Sequence, residues 1–287
     1  MKRTRMLPVV LCVAVVVVAA ALVWHRQTAQ PILDSLLAET LSVSDREQKS
    51  LADAVQTIDQ TDHADGLTVT VKQAITYPQM LCLLVELTYP DPIDPATLPE
   101  DDSILPGGYT VTVNGAPIGS HSSCLLPAWD DASIGTTNTF PFCIRFLSNA
   151  PFFEQGQTCT LTLRDFPLQS GALCSVSWTT EALGEAIQVP LDGENVTGNA
   201  VLTPLSLQVS VTGTTYDSLE ALYRALSFQD KKGETVPLEG TLTGNVGRSE
   251  NHSSISIELK CHLTSYLAVD EVEALQIGEE VFPISTV

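Results

Sequence analysis

The chain has 287 residues, which is long enough for one large or two ordinary domains, each with its own hydrophobic core. It carries 34 acidic residues and 14 Lys plus Arg, a formal charge of −20, and 4 of these bases precede residue 30. The rest of the chain therefore has 10 bases against 34 acids, a formal −24. Such a chain repels nucleic acid and anionic lipid headgroups, which excludes a nucleic-acid function.

The first feature along the chain is an apolar stretch without a charge over residues 6–24. At ~1.5 Å per residue, a helix over this stretch is roughly 28 Å long, which matches the hydrocarbon thickness of a bilayer. Lys2, Arg3 and Arg5 precede it, and basic residues favour the cytoplasmic side. We therefore expect a cytoplasmic tail over 1–5, a single-pass transmembrane helix over 6–24 and an extracytoplasmic remainder.

The alternative for this apolar stretch is a cleaved signal peptide. The small residues of "VAAA" at 18–21 suit signal-peptidase cleavage, and the mature protein would then be secreted. The uncleaved anchor is favoured because the apolar run continues past this site to Trp24.

Residues 27–62 carry a helical pattern. The leucines of "PILDSLLAE" at 31–39 share one helical face, and "SDRE" at 44–47 fits a capping box that opens a second helix. The apolar positions of this second helix are Leu51, Val55 and Ile58. The segment is either a signalling stalk next to the membrane or a spacer that packs against the first domain, and we expect the packed spacer.

From residue 63 the apolar pattern changes to period two, which is typical of half-buried strands. Asn114-Gly115 marks a hairpin. The predicted strands are "DGLTVTV", "MLCLLVELTY", "YTVTV", "TFPFCIRFL", "CTLTL" and "LCSVSW". Short strands between turn residues predict an antiparallel β-sandwich over 63–190.

A second set of strands begins near Val201. Its segments are "LTPLSLQVSVTG", a "DKKG" turn, "SSISIELKCHL" and the hairpin "EALQIGEEVFPI". Residues 189–200 are rich in Gly, Asn and Asp, so the domain boundary is expected there. The sequence predicts an all-β fold, with a second β-sandwich over 198–287.

Three stretches of the sequence resemble an uncharacterised family of membrane-anchored ectodomains from Gram-positive bacteria. They are "ADGLTVTVKQAI", "LTPLSLQVSVTG" and "VEALQIGEEVFPI", and the resemblance covers roughly residues 50–287. It implies two tandem immunoglobulin-like domains and an association with extracytoplasmic-function sigma factors. Members often carry a longer cytoplasmic segment, so sigma-factor regulation here would need a separate partner.

The sequence supplies little catalytic chemistry. It contains no Gly-x-Ser-x-Gly, no His-Glu-x-x-His, no phosphate-binding glycine loop and no Cys-x-x-Cys. His121 lies beside Ser122, Ser123 and Cys124, but sequence neighbours rarely form a nucleophile and base pair, so a polar loop is expected. We expect no catalytic residue, no cofactor and no enzyme activity.

Seven cysteines include Cys12 in the apolar stretch and six beyond it. Exported chains often use an even number of cysteines as disulfides. Cys159, Cys174 and Cys261 instead align with the apolar face of their strands, which indicates core thiols. Free thiols are expected, and Cys159 with Cys174 is the pair that could form a disulfide across adjacent strands.

Two acidic loops are the remaining candidates for a site. Their carboxylates could bind Ca²⁺ weakly, but their spacing matches no calcium loop and a solvated loop is expected. The weak calcium candidates are Asp91, Asp94, Asp101 and Asp102. The candidate partner-binding residues are Asp101, Asp102, Trp129, Asp130 and Asp131, in the long connections 90–107 and 118–138.

These features predict a membrane-anchored binding or sensory module of the bacterial cell envelope that recognises a protein partner. The alternative is an envelope glycan-binding protein or a cell-wall enzyme. Aromatic residues make up only 6% of the chain, and glycan-binding surfaces usually expose aromatic rings, so the binding or sensory module is favoured.

Overall fold

The computed structural model describes residues 33–93, 108–118, 120–125, 137–148, 150–164, 173–212, 214–248 and 255–284. Over these ranges the secondary structure consists mostly of antiparallel strands in four sheets. No helix within them is both long and apolar enough to cross a bilayer. The transmembrane helix predicted over 6–24 lies outside the described residues.

The spacer begins with a short helix, α1 (Ser35–Thr40). The side chain of Asp34 caps it by accepting a hydrogen bond from the backbone N–H of Leu36 at 3.0 Å. The predicted capping box is present, because the Glu47 carboxylate accepts the backbone N–H of Ser44 at 2.8 Å. It opens only a 3-10 turn, Glu47–Leu51.

The second predicted helix is therefore wrong beyond Leu51, because the chain enters its first strand at Val55. Val55 and Ile58 are β-branched and buried, and both fit a strand face as well as a helical stripe. Pairing of Val55 with Ile75 decides in favour of the strand.

The described residues of the first half form nine strands in two sheets. They are β1 (Val55–Ala64), β2 (Leu67–Tyr77), β3 (Met80–Ile93), β4 (Tyr109–Val113), β5 (Ala116–Pro117), β6 (Ser120–Leu125), β7 (Thr137–Ser148), β8 (Thr158–Arg164) and β9 (Leu173–Thr179). Sheet A has the order β1-β2-β3-β7-β6, and sheet B has the order β5-β4-β8-β9. The predicted Asn114-Gly115 hairpin is confirmed, since both residues have positive φ, at 49° and 81°.

The second half of the β structure also forms two sheets. Its strands are β10 (Ile187–Asp192), β11 (Thr197–Thr203), β12 (Ser206–Thr212), β13 (Leu226–Asp230), β14 (Thr235–Pro237), β15 (Gly240–Arg248), β16 (Ile255–Leu263), β17 (Val272–Ile277) and β18 (Glu280–Pro283). Sheet C has the order β10-β11-β12-β16-β15, and sheet D has the order β14-β13-β17-β18. This half also contains the helix α2 (Leu219–Ala225), which no sequence pattern predicted. Its N-cap residue is Ser218, whose side chain accepts a hydrogen bond from the backbone N–H of Ala221.

The polar stretch 189–200, predicted as a boundary, is a strand pair instead. Strands β10 and β11 pair from Ile187 with Leu202 to Asp192 with Thr197, and they belong to sheet C. Val189, Leu191 and Val196 are buried in the core of the second half. The polar residues between them point outward, which made the segment look like a linker.

Each pair of sheets encloses a hydrophobic core, as in a sandwich. Sheets A and B contribute to one cluster that includes Val71, Phe142, Leu161 and Trp178. A separate cluster joins sheets C and D. A single compact unit nevertheless extends from Leu33 to Val287.

A third cluster explains why the two halves belong to one unit. It contains the spacer leucines, the outer face of sheet A and Leu205 of the second half, and we call it the junction core. Its members are Leu33, Leu37, Ala38, Leu41, Val43, Leu51, Ala54, Val55, Ile75, Tyr77, Met80, Cys82, Leu84, Cys143, Leu147 and Leu205. The expected packing of the spacer against the first half is therefore confirmed.

Candidate functional site

The residues predicted as binding candidates fall mostly outside the described part of the chain. Asp91 is exposed near the end of β3. The residues outside the described ranges are Asp94, Asp101, Asp102, Trp129, Asp130 and Asp131. Among the described residues, no three His, Cys, Asp or Glu side chains come close enough to hold a metal ion.

The structure reveals a cleft that the sequence analysis did not predict. Its volume is about 570 Å³, and it lies between the spacer, the end of β2, the connection before β10 and the connection after β16. Its lining residues are Ser50, Asp53, Ala54, Tyr77, Leu183, Gly184, Glu185, Ile187, Leu202, Pro204, Tyr266, Val269 and Asp270. They come from both halves of the β structure, so the cleft exists only when the junction is assembled.

The charged residues of the cleft are all acidic. Asp53, Glu185 and Asp270 are exposed, and the described residues of the lining include no Lys, Arg or His. In the described part of the chain, the ion pairs join Arg46 to Glu271, Lys72 to Asp59 and Arg224 to Glu220, so none neutralises these three carboxylates. The cleft therefore attracts cations and repels anions.

A buried tyrosine forms one wall of the cleft. Tyr77 is only 2% exposed, and its ring packs against Gly184 so closely that a Cβ at Gly184 would clash with it. The backbone N–H of Gly184 donates to the Thr76 carbonyl at 2.8 Å, which holds the two segments together. Glycine is needed at this position because the aromatic ring occupies the space of a side chain.

Tyr77 lines the cleft although its side chain is almost fully buried. Burial raises its pKa well above the usual range, and the nearby Tyr266 and Asp53 raise it further. The group therefore stays protonated, and it offers the cleft one donor and two acceptor lone pairs.

A second tyrosine closes the cleft from the other half of the β structure. The Ser50 hydroxyl donates to the Glu47 carbonyl at 2.7 Å, so its oxygen is free to accept the short hydrogen bond from the Tyr266 hydroxyl. This contact joins the spacer to the connection after β16. Burial raises the pKa of Tyr266 as well.

The serine hydroxyl of the cleft already donates to a carbonyl and accepts from Tyr266. Among the described lining residues, no histidine or lysine lies beside it as a base. The predicted polar-loop position of His121 is a strand, β6, and its side chain lies outside the described part of the structure.

A buried arginine joins the two halves of the β structure. Arg145 on β7 is 1% exposed, and its guanidinium donates to the Leu263 carbonyl on β16 at 2.7 Å. Its Nε has no partner among the described residues. Next to Leu263 on β16, His262 is fully buried, and so is Cys261 before it. Adjacent strand residues face opposite sides, so both faces of β16 are covered at this end.

The cysteines are placed differently from the predicted pairing. Cys159 lies opposite Trp178, and Cys174 lies opposite Leu163, so the register of β8 and β9 keeps the two thiols apart. A Cys159–Cys174 disulfide is therefore wrong. The core positions of Cys159, Cys174 and Cys261 are confirmed, since all three are buried, and burial raises the pKa of each thiol.

No local sequence pattern predicts the cleft, because its residues come from segments far apart in the chain. A signal was nevertheless present in "MLCLLVELTY", whose uninterrupted apolar run indicates burial on both faces of the strand. That run marks where another part of the chain must cover sheet A.

Comparison with known proteins gives little further information. The chain matches no family model and no curated protein. A solved structure described as a conserved domain protein from Bacillus anthracis has a TM-score of 0.48 at 12% identity, covering 85% of this chain and 84% of that chain. At this level of similarity neither fold nor function is transferred.

Proposed function

We propose that the protein is a membrane-anchored extracytoplasmic module of the bacterial cell envelope that binds a partner and does not turn over a substrate. In this proposal the two pairs of sheets are two tandem immunoglobulin-like domains, held outside the membrane by the apolar helix over 6–24. The observation that carries the proposal is the acidic cleft between the two halves, with its unneutralised carboxylates.

The ligand that suits this cleft is a cationic group. Asp53, Glu185 and Asp270 supply negative charge from three separate segments, and the Tyr77 hydroxyl supplies an acceptor at the buried wall. An amine or guanidinium group would satisfy both features, as either is a donor with a positive charge. A lysine or arginine side chain of a partner protein carries such a group.

Zero-length crosslinking in intact cells tests the proposal. A carbodiimide joins a carboxylate to an amine in direct contact, so a bound lysine would become linked to Asp53, Glu185 or Asp270. The test variant is Asp53→Asn, Glu185→Gln and Asp270→Asn together. The control, with the same loss of charge outside the cleft, is Asp192→Asn, Asp217→Asn and Glu279→Gln.

We expect one crosslinked partner with the wild type and with the control, and its loss with the cleft variant. A variant with Asp101, Asp102, Asp130 and Asp131 changed to Asn tests the loop contacts in the same assay. Equal crosslinking in all variants, or hydrolysis of an envelope substrate by the purified chain, would contradict the proposal. Specific retention on peptidoglycan would support the glycan-binding alternative.

A further inference from the structure

Two cysteines of the junction core lie in direct contact. The Sγ atoms of Cys82 on β3 and Cys143 on β7 are 3.0 Å apart. The strands are neighbours in sheet A, with Cys82 opposite Arg145 and Leu84 opposite Cys143, so the two thiols are diagonal neighbours on one face. They are 0% and 1% exposed.

This separation is about 1 Å longer than the ~2.05 Å of a disulfide bond. Because the two residues are diagonal neighbours, closing this gap requires rotation of both side chains together with a small approach of the strands that carry them. The other described cysteines whose side chains are placed belong to different cores, Cys159 and Cys174 between sheets A and B and Cys261 between sheets C and D. Among those five side chains, the fold thus brings one pair together.

We propose that Cys82 and Cys143 form a disulfide when the chain folds in an oxidising compartment. Formation of this bond in the cell rests on the proposed extracytoplasmic location, because that compartment is oxidising. The proximity of the two thiols does not depend on the location. The oxidant is a disulfide, either of a thiol–disulfide oxidoreductase or of a small molecule such as oxidised glutathione.

The bond forms by two thiol–disulfide exchanges. The thiolate of one cysteine attacks the oxidant disulfide to give a mixed disulfide, and the second thiolate then displaces the remaining oxidant sulfur. The two cysteines lose two protons and two electrons in total, and the oxidant disulfide is reduced to two thiols. The product is a Cys82–Cys143 bond that closes a loop between positions 61 residues apart.

Burial determines when this chemistry occurs. The spacer and Leu205 cover the two sulfurs in the folded chain, so an oxidant reaches them before the junction core closes. Once the core is closed, the same cover shields the bond from reductants. We therefore expect the bond to form during folding and to resist mild reduction under native conditions.

The test is oxidative refolding of the full chain in detergent with oxidised glutathione, followed by alkylation in denaturant and mass spectrometry. We expect a peptide pair linking Cys82 to Cys143, two fewer alkylated thiols than in the reduced chain, and a midpoint of thermal unfolding roughly 5–15 °C higher. The variant Cys82→Ala/Cys143→Ala should lose the linked peptide and the redox dependence of the midpoint. The control Cys159→Ala should keep both.

Two results would overturn the inference. They are full alkylation of Cys82 and Cys143 after oxidative refolding, and a linked peptide that joins either of them to another cysteine. Alkylation of the chain taken directly from cells separates this inference from the proposed location. A bond that forms on refolding but is missing in cells would contradict the extracytoplasmic location and leave the geometry intact.

Discussion

Sheets A and C each have five strands, but their outer faces differ. In sheet A, every residue of β3 from Met80 to Val85 is buried, because the core covers one face and the spacer with Leu205 covers the other. In sheet C, the first six residues of β16, from Ile255 to Lys260, alternate between more and less buried positions. The comparison shows that the spacer and the second half cover part of the outer face of sheet A.

This difference determines where the cleft lies. The covered face of sheet A ends at Tyr77, and the segments that cover it supply Asp53 on one side and Tyr266 on the other. The open face of sheet C provides no such enclosure. The cleft at the junction depends on both halves and on the spacer.

The strongest test of this comparison is removal of a spacer side chain. Leu37 of α1 is fully buried in the junction core, so Leu37→Ala should lower the free energy of unfolding by about 2–5 kcal/mol. Urea unfolding of the full chain in detergent measures this. The control Leu173→Ala, at a side chain 51% exposed, should change stability by less than about 0.5 kcal/mol. Equal effects would mean that the spacer does not belong to the fold.

The buried arginine offers a second test. Arg145→Ala removes a charged hydrogen bond to Leu263 and leaves a cavity, and we expect a loss of about 2–4 kcal/mol. Arg145→Met keeps most of the side-chain volume and removes a buried charge with an unpartnered Nε, so it should lose less. Equal losses with Ala and Met would mean that the hydrogen bond to Leu263, which both variants lack, outweighs the packing of the side chain.

A third test concerns the wall of the cleft. In Gly184→Ala the new Cβ would clash with the Tyr77 ring and lie 2.8 Å from the Ala54 Cβ, which should cost about 1–3 kcal/mol. Calorimetry of the single variant and of Gly184→Ala/Ala54→Gly checks the cause. The double variant should recover part of the loss, whereas no recovery would place the strain at Tyr77 alone.

The smallest expected effect is a pH dependence in the second half. Burial raises the pKa of Cys261 from 9.0 to about 12, with Arg145 lowering it slightly. Below pH 9 the thiol is neutral in both folded and unfolded chains. Between the two pKa values only the unfolded chain ionises, so stability falls as pH rises, by about 1 kcal/mol at pH 10 from this group. Cys261→Ala should make the decline from pH 8 to 10 shallower by that amount, and an unchanged slope would contradict the assignment.

Much of the strand pattern could be predicted from the sequence. The alternation in "DGLTVTV" and the Asn114-Gly115 turn specify local geometry directly, and β2 and the β4–β5 hairpin follow them. The spacer was harder, because Leu51, Val55 and Ile58 fit a helical stripe as well as a turn followed by a strand.

The candidate site could not be predicted in this way. Asp53, Glu185 and Asp270 lie in three connections, and neither the spacing nor the composition of those segments sets them apart. Their proximity results from the junction, which brings Asp53 together with two residues more than 100 positions further along the chain. The same reason explains the cysteines, because the register of β3 with β7, not the spacing in sequence, brings Cys82 to Cys143.

Site-specific photocrosslinking in living cells tests the central claim, that the cleft between the halves binds a cationic partner. A photoreactive amino acid replaces Glu185 in the cleft or, as control, the exposed Glu279 outside it. We expect one discrete crosslinked partner from position 185, its loss when Asp53→Asn and Asp270→Asn are added, and no such product from position 279. The same product from both positions, or a product at 185 that persists without the two carboxylates, would contradict the claim.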